Sequence, residues 1–175
     1  MGKVILLYST TDGHTITICQ RIQSILNKAG NESDVLKIES ADPDQLALYD
    51  KIIIGASIRY GAHNKSVHDF VTKNQVLLES KPSAFFTVNV VARKSNKNTP
   101  ETNPYLNKFL SKIAWQPDRL AVFAGKIDYQ KYGVLDRAMI RLIMFMTDGP
   151  TDTNAVVEFT DWEQVEEFGR IVADM

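Results

Sequence analysis

Cysteine occurs once, at position 19, so no disulfide can form within the chain, and a lone thiol fits a reducing compartment. No apolar run approaches the roughly 17 to 25 residues that span a bilayer, and a transmembrane helix is not expected. Only three histidines are present. None stands at ligand spacing from another histidine or the cysteine, which leaves no metal site to propose; His63 and His68 read as structural or exposed. A P-loop NTPase would need G-x-x-x-x-G-K followed by Ser or Thr, and a dinucleotide fold G-x-G-x-x-G after its first strand; the chain has neither. The third strand ends Gly55-Ala56-Ser57, without the aspartate that a phosphoacceptor receiver needs. The first ten residues, MGKVILLYST, carry one lysine and a short apolar run but no signal-peptide cleavage pattern. A cytoplasmic location, or the cytoplasmic face of a membrane, is the expectation. With a net charge of −1, no nucleic-acid partner is expected.

What is present is an ordinary globular composition, 44% hydrophobic and 23% charged over 175 residues, a length that suits one domain with a sizeable core. The charge is uneven. Residues 81–141 hold 11 basic and 4 acidic side chains, whereas residues 142–175 hold 1 and 8. A basic middle of this kind suits an anionic ligand or anionic lipid.

Strand-like runs alternate with helix-period segments. VILLY at residues 4–8 is continuous rather than alternating, as a strand covered on both faces should be. A helix follows with Ile18, Ile22, Ile25, Leu26 and Ala29 on one stripe, stopped at Gly30. Residues 34–38 read as a weak second strand, 51–57 as a third, 83–90 as a fourth and 119–125 as a fifth. A helix through Val67, Phe70, Val71 and Leu78 precedes the fourth strand. Another is expected to start at Thr99 as N-cap with Pro100 behind it, and the last at Thr160, with Glu163 at capping-box spacing. Such alternation argues for a parallel, doubly wound α/β sheet. Residues 126–159 break the rhythm and read as an insertion within the single domain 1–175.

The segment YSTTDGHT, residues 8–15, lies where the first strand meets the first helix and contains no lysine or arginine. At that place a helix N-terminus offers free amides and the positive end of a dipole. Gly13 permits close backbone approach, and Thr10, Thr11 and Thr15 offer hydroxyl donors, so the loop suits a phosphate monoester. Its spacing resembles the phosphate loop of flavodoxins, with Asp12 where that family usually has threonine. The resemblance implies a flavodoxin-like fold with strand order 2-1-3-4-5 and FMN as cofactor. It also implies that Thr10, Thr11, Asp12, Gly13, His14 and Thr15 hold the phosphate. An inward carboxylate would repel a phosphate, so the Asp12 side chain is expected to turn outward or to cap the helix. His14 is expected either to touch the ligand or to face solvent. By the same resemblance the loops after the third and fourth strands flank the flavin ring, through Ser57, Ile58, Arg59, Tyr60 and Gly61 on one side and Thr87, Val88, Asn89 and Val90 on the other.

A narrower resemblance rests on GASIRYG, FFTVNVVARK followed by TPETN, PDRLAVFAGKIDY, DRAMIRLIMFM and TDTNAVVEFTDWEQV. These strings, spread over nearly the whole chain, are similar to those of the menaquinone-dependent protoporphyrinogen IX dehydrogenase family. That likeness implies an FMN enzyme of haem biosynthesis that oxidises protoporphyrinogen IX and passes electrons to a membrane quinone, menaquinone or ubiquinone. A substrate bearing two propionates asks for guanidinium partners, and Arg59 and Arg93 are the candidates for orienting it. Two other readings stay open on the residues: a flavodoxin-type electron carrier and a flavodoxin-like NAD(P)H:quinone reductase. Residues 134–146, VLDRAMIRLIMFM, are apolar almost all round and too short to span. Three partners are open to such a helix: the anionic inner-membrane surface as a peripheral contact, its own domain, or a second copy of the chain in a homo-oligomer.

Overall fold

The computed structural model describes all 175 residues. Its elements, in chain order, are β1 (Lys3–Ser9), α1 (His14–Lys28), β2 (Glu32–Lys37), α2 (Pro43–Leu46), β3 (Lys51–Arg59), β4 (Ala62–His63), α3 (Lys65–Lys73), α4 (Gln75–Glu79), β5 (Ser83–Asn89), α5 (Pro104–Leu110), β6 (Arg119–Ala124), β7 (Lys126–Asp128), α6 (Val134–Met146), β8 (Val156–Glu158) and α7 (Trp162–Ala173).

The five long strands pair in parallel in the order β2-β1-β3-β5-β6, which is the expected 2-1-3-4-5 once the short hairpin strand β4 is set aside. Alternation within β1 shows how one apolar run serves two layers. Ile5 and Leu7 join Ile52, Ile54, Phe85, Leu106 and Trp115 in one core, whereas Val4 and Leu6 join Ile18, Ile22, Phe86, Phe168 and Val172 in the other. The second layer is thus covered by α1 and α7. Cys19 lies fully buried within it, a small hydrophobe whose thiol is pushed far above its ordinary pKa by burial. Gly55 is fixed by packing, because an added Cβ would stand 2.1 Å from Cζ of Phe86.

Several boundaries differ from the sequence expectation. The helix through Val67 and Leu78 is two helices, α3 and α4, broken at Asn74, whose side-chain and backbone N–H groups both donate to the Phe70 carbonyl. The helix expected with its cap at Thr99 starts four residues later. Asn103 is the cap, accepting from Leu106 N at 3.1 Å, with Pro104 at the first position, while the Thr99 and Thr102 hydroxyls bind each other in a turn at 2.9 Å. The last helix is capped by Asp161, which accepts from Glu163 N and Gln164 N. Thr160 is drawn away from that role because its hydroxyl donates to the Ala124 carbonyl at 2.7 Å.

β3 runs on to Arg59 and turns into β4 through Tyr60 and Gly61, at φ 50° and 77°. Two successive left-handed residues suit the twist of a tight hairpin, and tyrosine is an uncommon occupant of such a site. Residues 126–159 contribute a separate two-stranded ladder, β7 with β8, and α6. A small core of Ile127, Tyr129, Tyr132 and Met144 joins these pieces.

Candidate functional site

At the carboxyl ends of β1, β3 and β5 lies a cavity of ≈ 370 Å³, where open parallel sheets bind their ligands. One end is formed by the loop after β1. Gly13 stands at the N-cap of α1 with φ 88°, no side chain caps the helix, and its first turn holds no acid, so no side chain of the chain occupies the capping position. Thr10, Thr11, Asp12, His14 and Thr15 line the cavity here; Gly13 lies just behind, its N–H bound to Thr10 Oγ1 at 2.9 Å. Thr15 is fully buried, and its Oγ1 is the one buried side-chain polar atom in the chain without a hydrogen-bond partner. Buried hydroxyls are ordinarily paired. An uncapped helix start, a desolvated donor and a roomy cavity fit the phosphate of a flavin mononucleotide.

Asp12 neither turns outward nor caps the helix. Its Oδ1 accepts from Arg59 Nη2 at 2.8 Å. Burial pushes the carboxyl above its ordinary pKa and the Arg59 cation pulls it back, so the pair keeps a partly buried charge compensated. His14 is turned from solvent, with Nε2 2.6 Å from Thr160 Oγ1 and 3.8 Å from Glu158. Because the Thr160 hydroxyl hydrogen goes to Ala124, the imidazole must donate from Nε2. Burial moves its pKa downward, opposed by Glu158.

The middle of the cavity is lined by Ser57, Ile58, Arg59, Tyr60 and Gly61 from the β3–β4 turn and by Val88, Asn89 and Val90 after β5. Tyr60 is half exposed, and its hydroxyl donates to Asp136 of α6; that bond raises its pKa. The Arg59 guanidinium lies 5.1 Å from the Tyr132 ring centre and 5.8 Å from that of Tyr60. The Asn89 side chain is committed to Ala92 N at 3.0 Å and, reciprocally, to Asn103. Thr87 does not line the cavity; it is buried, bound to His63 Nε2 at 2.9 Å. His63 is a buried, structural residue whose pKa burial, with His68 adding to the effect, pushes down to about 3.

Arg93 lies away from the cavity lining. Its Nη1 donates to Val90 O at 3.1 Å and its Nη2 to Thr147 O at 2.6 Å, which ties the end of α6 to the loop after β5. Residues that the sequence reading missed complete the lining: Tyr105, Ile127 and Tyr132, and, from α6, Met139, Ile140, Ile143 and Met144, which form an apolar wall. The apolar pattern of α6 was legible, but not which of its faces looks inward.

A family model described as a flavodoxin domain matches residues 5–154. Curated relatives named protoporphyrinogen IX dehydrogenase (quinone) include one from Escherichia coli K12, 46% identical over 99% of this chain and 96% of its own length. Another, from Leishmania major, is 42% identical over 95% of this chain and 72% of its own. Among solved structures, a flavodoxin from Megasphaera elsdenii aligns with a TM-score of 0.62 at 15% identity, covering 98% of this chain and 99% of that one. An archaeal flavodoxin aligns at 0.58 and 15%, covering 98% and 96%. At such identities these structures speak for the fold alone.

Proposed function

This chain belongs to the flavodoxin-domain family, in the group of oxidoreductases named protoporphyrinogen IX dehydrogenase (quinone), and we propose that it uses FMN to oxidise protoporphyrinogen IX to protoporphyrin IX, with a membrane quinone as electron acceptor in haem biosynthesis. The observation that carries the reading is the unpartnered Thr15 hydroxyl at one end of a cavity whose other end is walled by apolar residues of α6. A phosphate supplies the acceptor that this donor lacks.

FMN, when bound, supplies a two-electron acceptor. The chain's own groups bind, orient and shield. The amides that begin α1, with the hydroxyls of Thr10, Thr11 and Thr15, hold the phosphate. The β3–β4 turn and the start of the loop after β5 border the flavin ring, with the Tyr60 face available for stacking. Met139, Ile140, Ile143 and Met144 receive the hydrophobic macrocycle and exclude water. Arg59, fixed by Asp12 and stacked on Tyr132, meets a propionate. The one carboxylate and the one imidazole in the lining, Asp12 and His14, are engaged with Arg59 and Thr160, and no protein group is assigned as a base.

Contact with the membrane rests on the outward arc of α6. Val134, Leu135, Leu142, Phe145 and Met146 are each at least half exposed, although no helix is long and apolar enough to cross a bilayer. An apolar arc beside the exposed Arg141 suits shallow insertion into the cytoplasmic face of an anionic inner membrane, and would bring the cavity close to quinone. The test is anaerobic incubation of FMN-loaded protein with protoporphyrinogen IX and a menaquinone analogue. Porphyrin fluorescence that requires both flavin and quinone supports the proposal. Rapid bleaching by NADPH would move the assignment to a nicotinamide-linked quinone reductase, and neither response would leave an electron carrier.

A further inference from the structure

The loop between β1 and α1 holds no cation, yet a phosphate monoester carries a charge of about −1.5 to −2 at neutral pH. The insertion supplies what the loop lacks. Gly125 follows β6 and lines the cavity, and the next residue, Lys126, lines both the large cavity and a smaller one of ≈ 70 Å³ next to it. Gly13, His14 and Thr17, the cap and first turn of α1, also line the smaller cavity, together with Asp128 and Lys131. The strand period explains the arrangement. Ile127 is buried in the core of the insertion, so Lys126 and Asp128 share the opposite face of β7.

Neither lysine makes an ion pair or a side-chain hydrogen bond with the protein. The carboxylates nearby have other partners: Asp12 is held by Arg59, Asp128 accepts from Gln130 N at 3.2 Å, and Glu158, paired across the ladder with Lys126, lies 3.8 Å from His14. Two unpaired ammonium groups therefore flank a helix start that also carries the unpartnered, fully buried Thr15 hydroxyl. Their nearness is felt by His14, whose pKa both lysines push downward, behind the larger effect of burial.

We infer that Lys126 and Lys131 are the cationic partners of the flavin phosphate, completing from the insertion a site that the loop forms with amides and hydroxyls. The inference rests on the FMN reading. It makes the insertion part of the cofactor site as well as of the substrate wall, and it makes binding selective for the phosphorylated flavin.

The experiment titrates flavin-free protein with FMN and with riboflavin, at low and high salt, following flavin fluorescence. Lys126→Ala and Lys131→Ala should each weaken FMN by roughly three- to tenfold, as expected for partly exposed charge-assisted contacts, and the double variant by more. Riboflavin affinity and the melting temperature of flavin-free protein should not change, the salt dependence of FMN binding should flatten, and Lys126→Arg should restore most of the loss. Unaltered FMN affinity in the double variant would overturn the inference while leaving the FMN reading intact, and so would a parallel loss of riboflavin. Wild-type protein that binds neither flavin would overturn the FMN reading itself.

Discussion

Replacing Thr15 with valine preserves the shape of the side chain and deletes its one polar atom. In the flavin-free protein that atom is a fully buried hydroxyl with no partner, so its removal should help folding. A gain of about 1 kcal/mol, the low end for relieving an unsatisfied group, corresponds to a rise of roughly 2–4 °C in melting temperature for a chain of this size. Helix propensity adds little, since threonine and valine rank together. With FMN bound the sign reverses. A charged phosphate oxygen loses its donor, a loss of about 1.5–3 kcal/mol or roughly ten- to a hundredfold in Kd. Thermal melts with and without FMN, together with calorimetric titration, measure both effects on the same preparations. The stabilisation conferred by a fixed excess of FMN should shrink by the same energy that the titration loses. If the flavin-free variant melted no higher than wild type and bound FMN equally well, Thr15 would not face the phosphate and the site would have to be redrawn.

Three further outcomes follow from other parts of the molecule. His63 titrates near 3 rather than 6.5 because burial disfavours its cation, with His68 adding to the effect. The unfolded chain therefore takes up the proton first, and stability that is complete above pH 6.5 is lost as pH falls towards 3, by at most about 1.4 kcal/mol per pH unit. His63→Gln should flatten that acid limb in urea midpoints; coincident limbs would contradict the burial argument. Asp161→Ala should cost about 1 kcal/mol by removing the acceptor shared by Glu163 N and Gln164 N, and an unshifted denaturation midpoint would return the cap to Thr160. Leu135→Glu with Phe145→Glu, both well exposed on α6 and outside the cavity lining, should abolish pelleting with anionic vesicles and leave FMN affinity unchanged. Persistent pelleting would place the membrane contact elsewhere.

The architecture was legible because strands buried on both faces leave continuous apolar runs, and because the helices between them keep one stripe each. α6 was legible to the residue, its apolar pattern being bounded by Gly133 and by the polar Thr147 and Asp148. Local ambiguity accounts for the misplaced caps. In TPETNP, both Thr99-Pro100 and Asn103-Pro104 satisfy the same cap rule, and the choice is made by the bond of Asn103 to Asn89, distant in sequence. Thr160 and Asp161 are adjacent candidates, separated by a carbonyl at position 124. The same reason hid the fate of Asp12. Its partner lies 47 positions away, and no rule of spacing along one helix or loop brings the two together. The break at Asn74 was hidden because the apolar period runs through it.

The basic middle of the chain acquires a division of labour once its side chains are located. Arg93 holds Thr147 at the end of α6, Arg137 donates to the carbonyls of Tyr129 and Tyr132 at its start, and the Tyr129 hydroxyl donates to Pro150 O at 2.6 Å. These polar struts matter because the small core of Ile127, Tyr129, Tyr132 and Met144 has only four buried residues, too little apolar burial to fix a thirteen-residue helix by packing alone. Holding α6 from its ends leaves the two long faces free for separate tasks, one walling the cavity and the other turned to the outside. Were the struts replaced by apolar packing, the outward arc would be the surface consumed. A guanidinium that donates to carbonyls is thus what allows a short helix to remain apolar on both sides, and it explains why Arg93, which looks like a substrate ligand in the sequence, is spent on the protein's own backbone, whereas Arg59 is not.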